Sequence, residues 1–261
     1  MSEESTTNTG LFSQVRDIYK ASRKERDIFW NVYVARPIAA VLILLLRRTP
    51  ITPNQLTFLG IAIFMAAAAI LAWIPGWQGM LIAAGVLELS YLMDCADGQL
   101  ARLKGMTSAV GAYLDFLIDE VKACLLVAAA SVRLYNLDQD ERYLMVGIVG
   151  VLLVSIATSL TTFVRRPEYA GQEIQPGKPV VDKAPSGLIA ILRWAVGRFL
   201  RWIVHYPSWF VYIALLDGHK EIDGTVWFLA AYLSVYALYV AGTSLLIVLK
   251  LGRPSFYKTK D

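Results

Sequence analysis

Cysteine and histidine are scarce in this chain, with two of each in 261 residues. Cys95 and Cys124 both fall in or beside hydrophobic runs, so no disulfide framework is indicated and each reads as a small buried hydrophobe. His205 and His219 stand apart from the chain's acidic cluster and receive no catalytic role. Charge is sparse too. Charged residues make up 18% of the chain against 56% hydrophobic, and a mean hydropathy of +0.50 is far too apolar for a soluble domain of this size. A polytopic membrane protein is the class that remains. The net charge of +4 is modest, and no nucleic-acid partner is expected. The first ten residues are polar and acidic and lack a small-residue cleavage site, so insertion is expected to rely on internal helices.

What is present is a succession of long apolar runs. Residues 55–74, 79–96, 110–132, 143–164, 203–216 and 226–249 are the expected spans, most of them near the roughly 20 residues that cross a hydrocarbon core. Residues 203–216 are short and contain Pro207, so that helix is expected to begin earlier, within residues 188–202. Ahead of the spans, Leu11, Val15, Ile18, Tyr19 and Ser22 recur at helical spacing opposite Arg16, Lys20, Arg23 and Lys24. That pattern predicts an amphipathic helix on an anionic membrane surface. Residues 28–48 are apolar enough to span but are interrupted by Arg36-Pro37, and they read as an interfacial or re-entrant helix.

Basic residues orient the whole. If residues 55–74 run outward, the outer segments hold only Arg133, Arg142 and Lys220, while the N-terminal cluster and the remaining basic residues fall inside. An excess of Lys and Arg inside places both termini on the cytoplasmic side of a cell (inner) membrane. Counting residues 28–48 as a seventh span would strand the N-terminal cluster outside. The expected architecture is therefore an all-α bundle of six transmembrane helices with an N-terminal amphipathic interfacial helix. Its expected parts are a disordered stretch (1–10), juxtamembrane helices (11–54), the six-helix domain (55–250) and a cytoplasmic tail (251–261).

The chemistry concentrates in residues 94–119, DCADGQLARLKGMTSAVGAYLDFLID. Four carboxylates at the edges of two apolar helices must be paired, protonated or bound to a cation, which marks them as functional candidates. Asp94 and Asp97 are three apart and Asp115 and Asp119 four apart, so each pair shares a helical face. Two such faces turned together make an all-oxygen cage suited to Mg²⁺ or Mn²⁺. Gly98, Ala101 and Gly111 are small enough to admit a ligand to the backbone, and Arg102 offers a planar fork for phosphate.

The pattern D-x2-D-G-x2-A-R-x8-G-x3-D-x3-D, met here without departure, resembles the signature of the CDP-alcohol phosphatidyltransferase family. That resemblance implies an integral membrane enzyme of phospholipid biosynthesis that displaces CMP from a CDP-alcohol lipid donor, commonly as a homodimer. It makes Asp94, Asp97, Asp115 and Asp119 ligands to two divalent ions, with Asp119 also the general base. It assigns Pro53, Asn54 and Thr57 to the cytidine. Gly98 and Ala101 leave room for the nucleotide, Arg102 and Ser108 hold the diphosphate, and Gly111 lets it approach the next helix. The family often has an Arg shortly after the fourth aspartate. Here Glu120-Val121-Lys122 follows, and Lys122 is placed to be the countercharge of Asp119.

An acceptor needs its own pocket. By analogy with relatives that take a sugar or glycerol phosphate, Arg165 and Arg166 are the first candidates, then Arg193, Arg253 with Lys250, and Arg36; each is equally readable as a topology determinant. The leading expectation is transfer of a phosphatidyl group from CDP-diacylglycerol to a small polar alcohol or alcohol phosphate. The alternative is transfer of a CDP-linked head group to a diglyceride or polyol. The absence of a D-H-x-x-D element at Asp115–Asp119 disfavours it. A non-catalytic scaffold or cation transporter is the third reading, one that would place acids nearer mid-membrane.

Overall fold

The computed structural model describes residues 10–22, 30–170, 187, 190–192, 194–196, 205, 207, 210–217 and 223–252. Every regular element among them is helical. In chain order these are α1 (Leu11–Ser22), a π-helical turn (Asn31–Ala35) running into α2 (Arg36–Leu46), α3 (Pro53–Trp73), α4 (Gly76–Leu103), α5 (Ala109–Asp138), α6 (Arg142–Val164), the single turn α7 (Pro167–Ala170), α8 (Phe210–Leu216) and α9 (Gly224–Leu251).

Four of these, α3, α4, α6 and α9, are long and apolar enough to cross a membrane, and they coincide with four of the six expected spans. The fifth expected span lies in α5, whose 30 residues have the length. Asp115, Asp119, Glu120, Lys122 and Arg133 interrupt its apolar sequence. Of residues 203–216, the described helical part is the seven-residue α8, and the stretch expected to lengthen it falls largely outside the described residues. The expected disorder of residues 1–10 and the tail beyond residue 252 also fall outside them, apart from Gly10.

Two compact units divide the chain. The first comprises residues 1–64 and 86–115, the second residues 65–85 and 116–261. In the first, Ile18 of α1, Ala35 of the π-helical turn, Ala39, Ala40 and Ile43 of α2, Leu56 of α3, and Tyr91, Cys95, Ala96 and Leu100 of α4 make one buried cluster. Alanines on one face of α2 let neighbouring backbones come close, as small residues do between packed apolar helices. The apolar stripe of α1 therefore faces the protein's own interior: Ile18 and Ser22 are buried, with Val15 and Tyr19 packed against the cluster. The sequence reading had given this stripe to a lipid surface.

Pro37 does not break the helix it sits in. It occupies the first turn of α2, where its missing N–H and fixed φ cost little, and the wider π-helical turn joins on ahead of it. At about 1.5 Å per residue, Asn31–Leu46 is about 24 Å long, short of a hydrocarbon core about 30 Å thick.

The second unit is held at one end by an arginine. Arg133 of α5 is 2% exposed, and it donates to the carbonyls of Ile74 (3.1 Å) and Gly76 (2.9 Å) and reaches Asp217 at 3.4 Å. It thereby satisfies carbonyls of the turn that joins α3 to α4. Elsewhere α6 approaches α5 through glycines. A Cβ on Gly147 would lie 2.8 Å from Ser131 Cβ, and one on Gly150 would lie 2.7 Å from Val127 Cγ1. Ser131 Cβ is fixed by its backbone and cannot swing aside. Gly147→Leu is expected to force the helices apart at a cost of about 1–3 kcal/mol, read as a lowered unfolding temperature in detergent.

Candidate active site

The motif-bearing end of α4 is continuous helix well past the expected end at Ala96, so Asp94, Asp97, Gly98, Ala101 and Arg102 keep the three- and four-residue spacing of one face. Its termination is built into the sequence. Gly105 adopts φ +65°, Met106 N–H donates to Ala101 O at 2.8 Å, and Gly105 N–H donates to Arg102 O at 3.4 Å. This pair of bonds is the Schellman closure that favours glycine. Lys104 then donates to the carbonyls of Thr49 and Ile51, both at 2.7 Å, pinning the α2–α3 turn beside the end of α4.

Both helices that flank the motif have capped starts. Thr52 and Gln55 exchange hydrogen bonds, Thr52 N–H to Gln55 Oε1 at 2.9 Å and Gln55 N–H to Thr52 Oγ1 at 3.3 Å, a capping box with Pro53 at the first helical position. Ser108 Oγ accepts from Gly111 N–H at 2.9 Å and caps α5. Asn54 belongs to the same corner: a Cβ on Gly111 would sit 3.1 Å from Ser108 Oγ and 3.8 Å from Asn54 Oδ1. Asn54, Ser108 and Gly111 are thus brought together, with Asn54 and Ser108 exposed.

Asp94 and Asp115 meet across α4 and α5 within the first unit, and α5 continues unbroken through Asp119, one turn on. One carboxylate oxygen of Asp94 lies within 4.8 Å of one of Asp115. Asp119 pairs with the buried Lys122 at 3.5 Å, the countercharge expected from the spacing. Hard oxygen donors so close, with no nitrogen or sulfur among them, fit a hard divalent cation.

Asp97 is not part of that group. It is 6% exposed, and Thr57 Oγ1 of α3 donates to its Oδ2 at 2.5 Å. Thr57, expected at the nucleotide, is here a support for a motif carboxylate. Arg102 is likewise engaged: Nε donates to Ser22 O at the end of α1 at 2.7 Å, and its guanidinium lies over Gly98. Neither bond was visible in the spacing, because each joins residues 40 or more apart. Thr57→Val is expected to cost about 1.5–3 kcal/mol by leaving a buried carboxylate short of a charge-assisted bond, with the loss measured as thermal stability in detergent.

Among the acceptor candidates, Arg165 follows the last residue of α6, and its guanidinium stands 5.1 Å from the centroid of the Phe116 ring, one residue beyond Asp115. Glu120 lies within electrostatic reach of Arg165 and accepts a hydrogen bond from Thr158. Arg166 is exposed beside it. Lys250 is committed locally, donating to Tyr169 O and lying 3.9 Å from the centre of that ring. Arg36 is buried in the first unit. Arg193, Arg253 and His219 lie outside the described residues. Neither Cys95 nor Cys124 is in a disulfide.

Residues 50–216, well over half of the chain, match the CDP-alcohol phosphatidyltransferase family. The chain belongs to that family. Members are transferases, and they typically use divalent metals. The phosphatidylinositol phosphate synthase of Mycobacteroides abscessus is 28% identical over 191 residues, covering 70% of this chain and 79% of that protein. The archaetidylinositol phosphate synthase of Pyrococcus horikoshii is 37% identical over 71 residues, 27% of this chain and 36% of that one. A bifunctional IPC transferase and DIPP synthase of Aquifex aeolicus is 28% identical over 107 residues, 41% of this chain and 24% of its own length. The chain thus spans only about a quarter to a third of the last two relatives.

Proposed function

We propose that this phosphatidyltransferase moves a phosphatidyl group from CDP-diacylglycerol to a small alcohol phosphate and releases CMP. The observation that carries the reading is the approach of Asp94 to Asp115, with Asp119 one turn further along the same unbroken helix. Asp94, Asp115 and Asp119 would hold Mg²⁺ or Mn²⁺, with Asp97 joining them for a second ion. Divalent ions bound there supply positive charge against the diphosphate as CMP departs.

The chain's own residues do the rest. The acceptor oxygen attacks the lipid-bearing phosphorus, the bond from that phosphorus to the bridging oxygen breaks with its electron pair going to CMP, and Asp119 takes the hydroxyl proton. Pro53, Asn54 and Thr57, at the start of α3, border the cytidine. Gly98 and Ala101 keep the α4 surface low enough for the nucleotide, and Arg102 and Ser108 bind the diphosphate beside Gly111. Arg165 and Arg166 bind the phosphate of the acceptor; Arg165 carries most weight because its position over Phe116 keeps it beside the acidic helix. Arg193 and Arg253 are kept as further acceptor ligands. The active site and both termini face the cytoplasm, the side that the basic residues select.

The names of two relatives contain inositol phosphate, which makes inositol phosphate the first acceptor to try. Purified protein with CDP-diacylglycerol and Mg²⁺ or Mn²⁺ is assayed for CMP against inositol phosphate, glycerol phosphate, inositol and serine. Release that depends on a phosphorylated acceptor is expected. Turnover only with a CDP-linked head group and a diglyceride would reverse the assignment of donor and acceptor. No CMP from any pairing would leave a scaffold or a transporter.

A further inference from the structure

Beside the first unit's core lies a polar groove of about 480 Å³ that the reaction does not use. Gln14, Asp17, Ile18 and Ala21 of α1, Arg47 and Arg48 just past α2, and Leu103 at the end of α4 line it. Because the apolar stripe of α1 is spent on the interior, what α1 offers to its surroundings is this groove and an outward face that is polar apart from Phe12.

Its side chains fall into two chemical sets. Arg47 and Arg48 are adjacent guanidiniums, forked donors that suit phosphate oxygens. Arg48 is exposed. Arg47 donates from Nη2 to Gln14 Oε1 at 3.0 Å, while its Nε–H, shielded from solvent, has no hydrogen-bond acceptor. A buried guanidinium N–H without an acceptor is costly, and a phosphate seated in the groove relieves it after a small rotation of the fork. Gln14 and Asp17, one turn apart on α1, supply acceptors for hydroxyl groups. A carboxylate in the groove disfavours a bare, multiply charged anion and favours a phosphate that carries hydroxyls.

We propose that this groove is a binding site for a polyol phosphate, held by Arg47 and Arg48 through the phosphate and by Asp17 and Gln14 through the hydroxyls. A phospholipid with a polyol headgroup and a soluble polyol phosphate share that chemistry. The site is independent of the acidic group and of Arg165, so it stands whether or not the proposed reaction does.

The test uses the full chain in detergent, stripped of lipid, without metal or CDP-lipid, and carrying Arg165→Ala and Arg166→Ala so that the first two acceptor candidates do not contribute. Native mass spectrometry counts retained phosphatidylglycerol against phosphatidylcholine, and calorimetry measures glycerol 3-phosphate. Selective retention of phosphatidylglycerol identifies the lipid as the ligand; binding of glycerol 3-phosphate alone identifies the soluble source. In either case affinity is expected to fall at least about tenfold in Arg48→Ala and in Arg47→Lys, which keeps the charge but loses the fork. Asp17→Ala is expected to weaken the polyol ligand while inorganic phosphate binds more tightly. Thermal unfolding of Arg48→Ala, a change at an exposed side chain, shows that the fold is kept. Equal retention of phosphatidylcholine with no glycerol 3-phosphate bound, or affinity unaltered by both arginine variants, overturns the proposal.

Discussion

Asp94→Asn and Asp115→Asn are each expected to lower CMP release by about 10³-fold or more, equivalent to about 4 kcal/mol of barrier at 1.36 kcal/mol per decade. The reason is geometric. Asp94 and Asp115 bring one oxygen each within 4.8 Å of the other, and an amide keeps the shape while removing the charge that a divalent ion requires. Calorimetric titration with Mn²⁺ should weaken in step with activity, and a chelator should reproduce the variant in the unaltered protein. Asp140→Asn is the control. That carboxylate is held below its usual range by hydrogen bonds from Arg142, at the surface end of α6. Its loss should leave CMP release unchanged. Turnover that persists in chelator would remove the metal from the reading.

Arg165→Ala is the second large effect. A hydrogen bond to a charged group contributes about 1.5–3 kcal/mol, so the acceptor's KM is expected to rise about 10- to 150-fold while the donor's KM stays nearly constant. Arg165 also lies over Phe116, and its removal takes a cation–π contact with it. Arg165→Lys separates the two contributions, because the ammonium keeps the charge but not the planar fork. Partial recovery of the acceptor's KM is expected. An equal loss for donor and acceptor would take Arg165 out of the acceptor site.

The acidic motif was legible in the sequence because its information is local. Spacings of three and four on a continuous helix fix which carboxylates share a face, and the structure keeps α4 and α5 helical throughout both pairs. Helix starts were legible for the same reason, as with Pro53 in the first turn of α3. What could not be read was tertiary. An amphipathic pattern reveals that α1 has something to cover without revealing what, and here the cover is α2 and α4. Arg36-Pro37 looked like an interruption because proline removes a donor, yet a helix beginning afresh at that residue needs none there. The pairing of Thr57 with Asp97 crosses 40 residues, which spacing alone does not express.

The bond from Arg102 to the Ser22 carbonyl has a further bearing on how the molecule would respond to its donor. A guanidinium that turns toward a diphosphate has to let go of that carbonyl, leaving the final turn of α1 without one of its anchors. Amide exchange at residues 19–22 would then quicken whenever nucleotide is bound, making the first helix a gauge of occupancy that can be followed without any turnover at all.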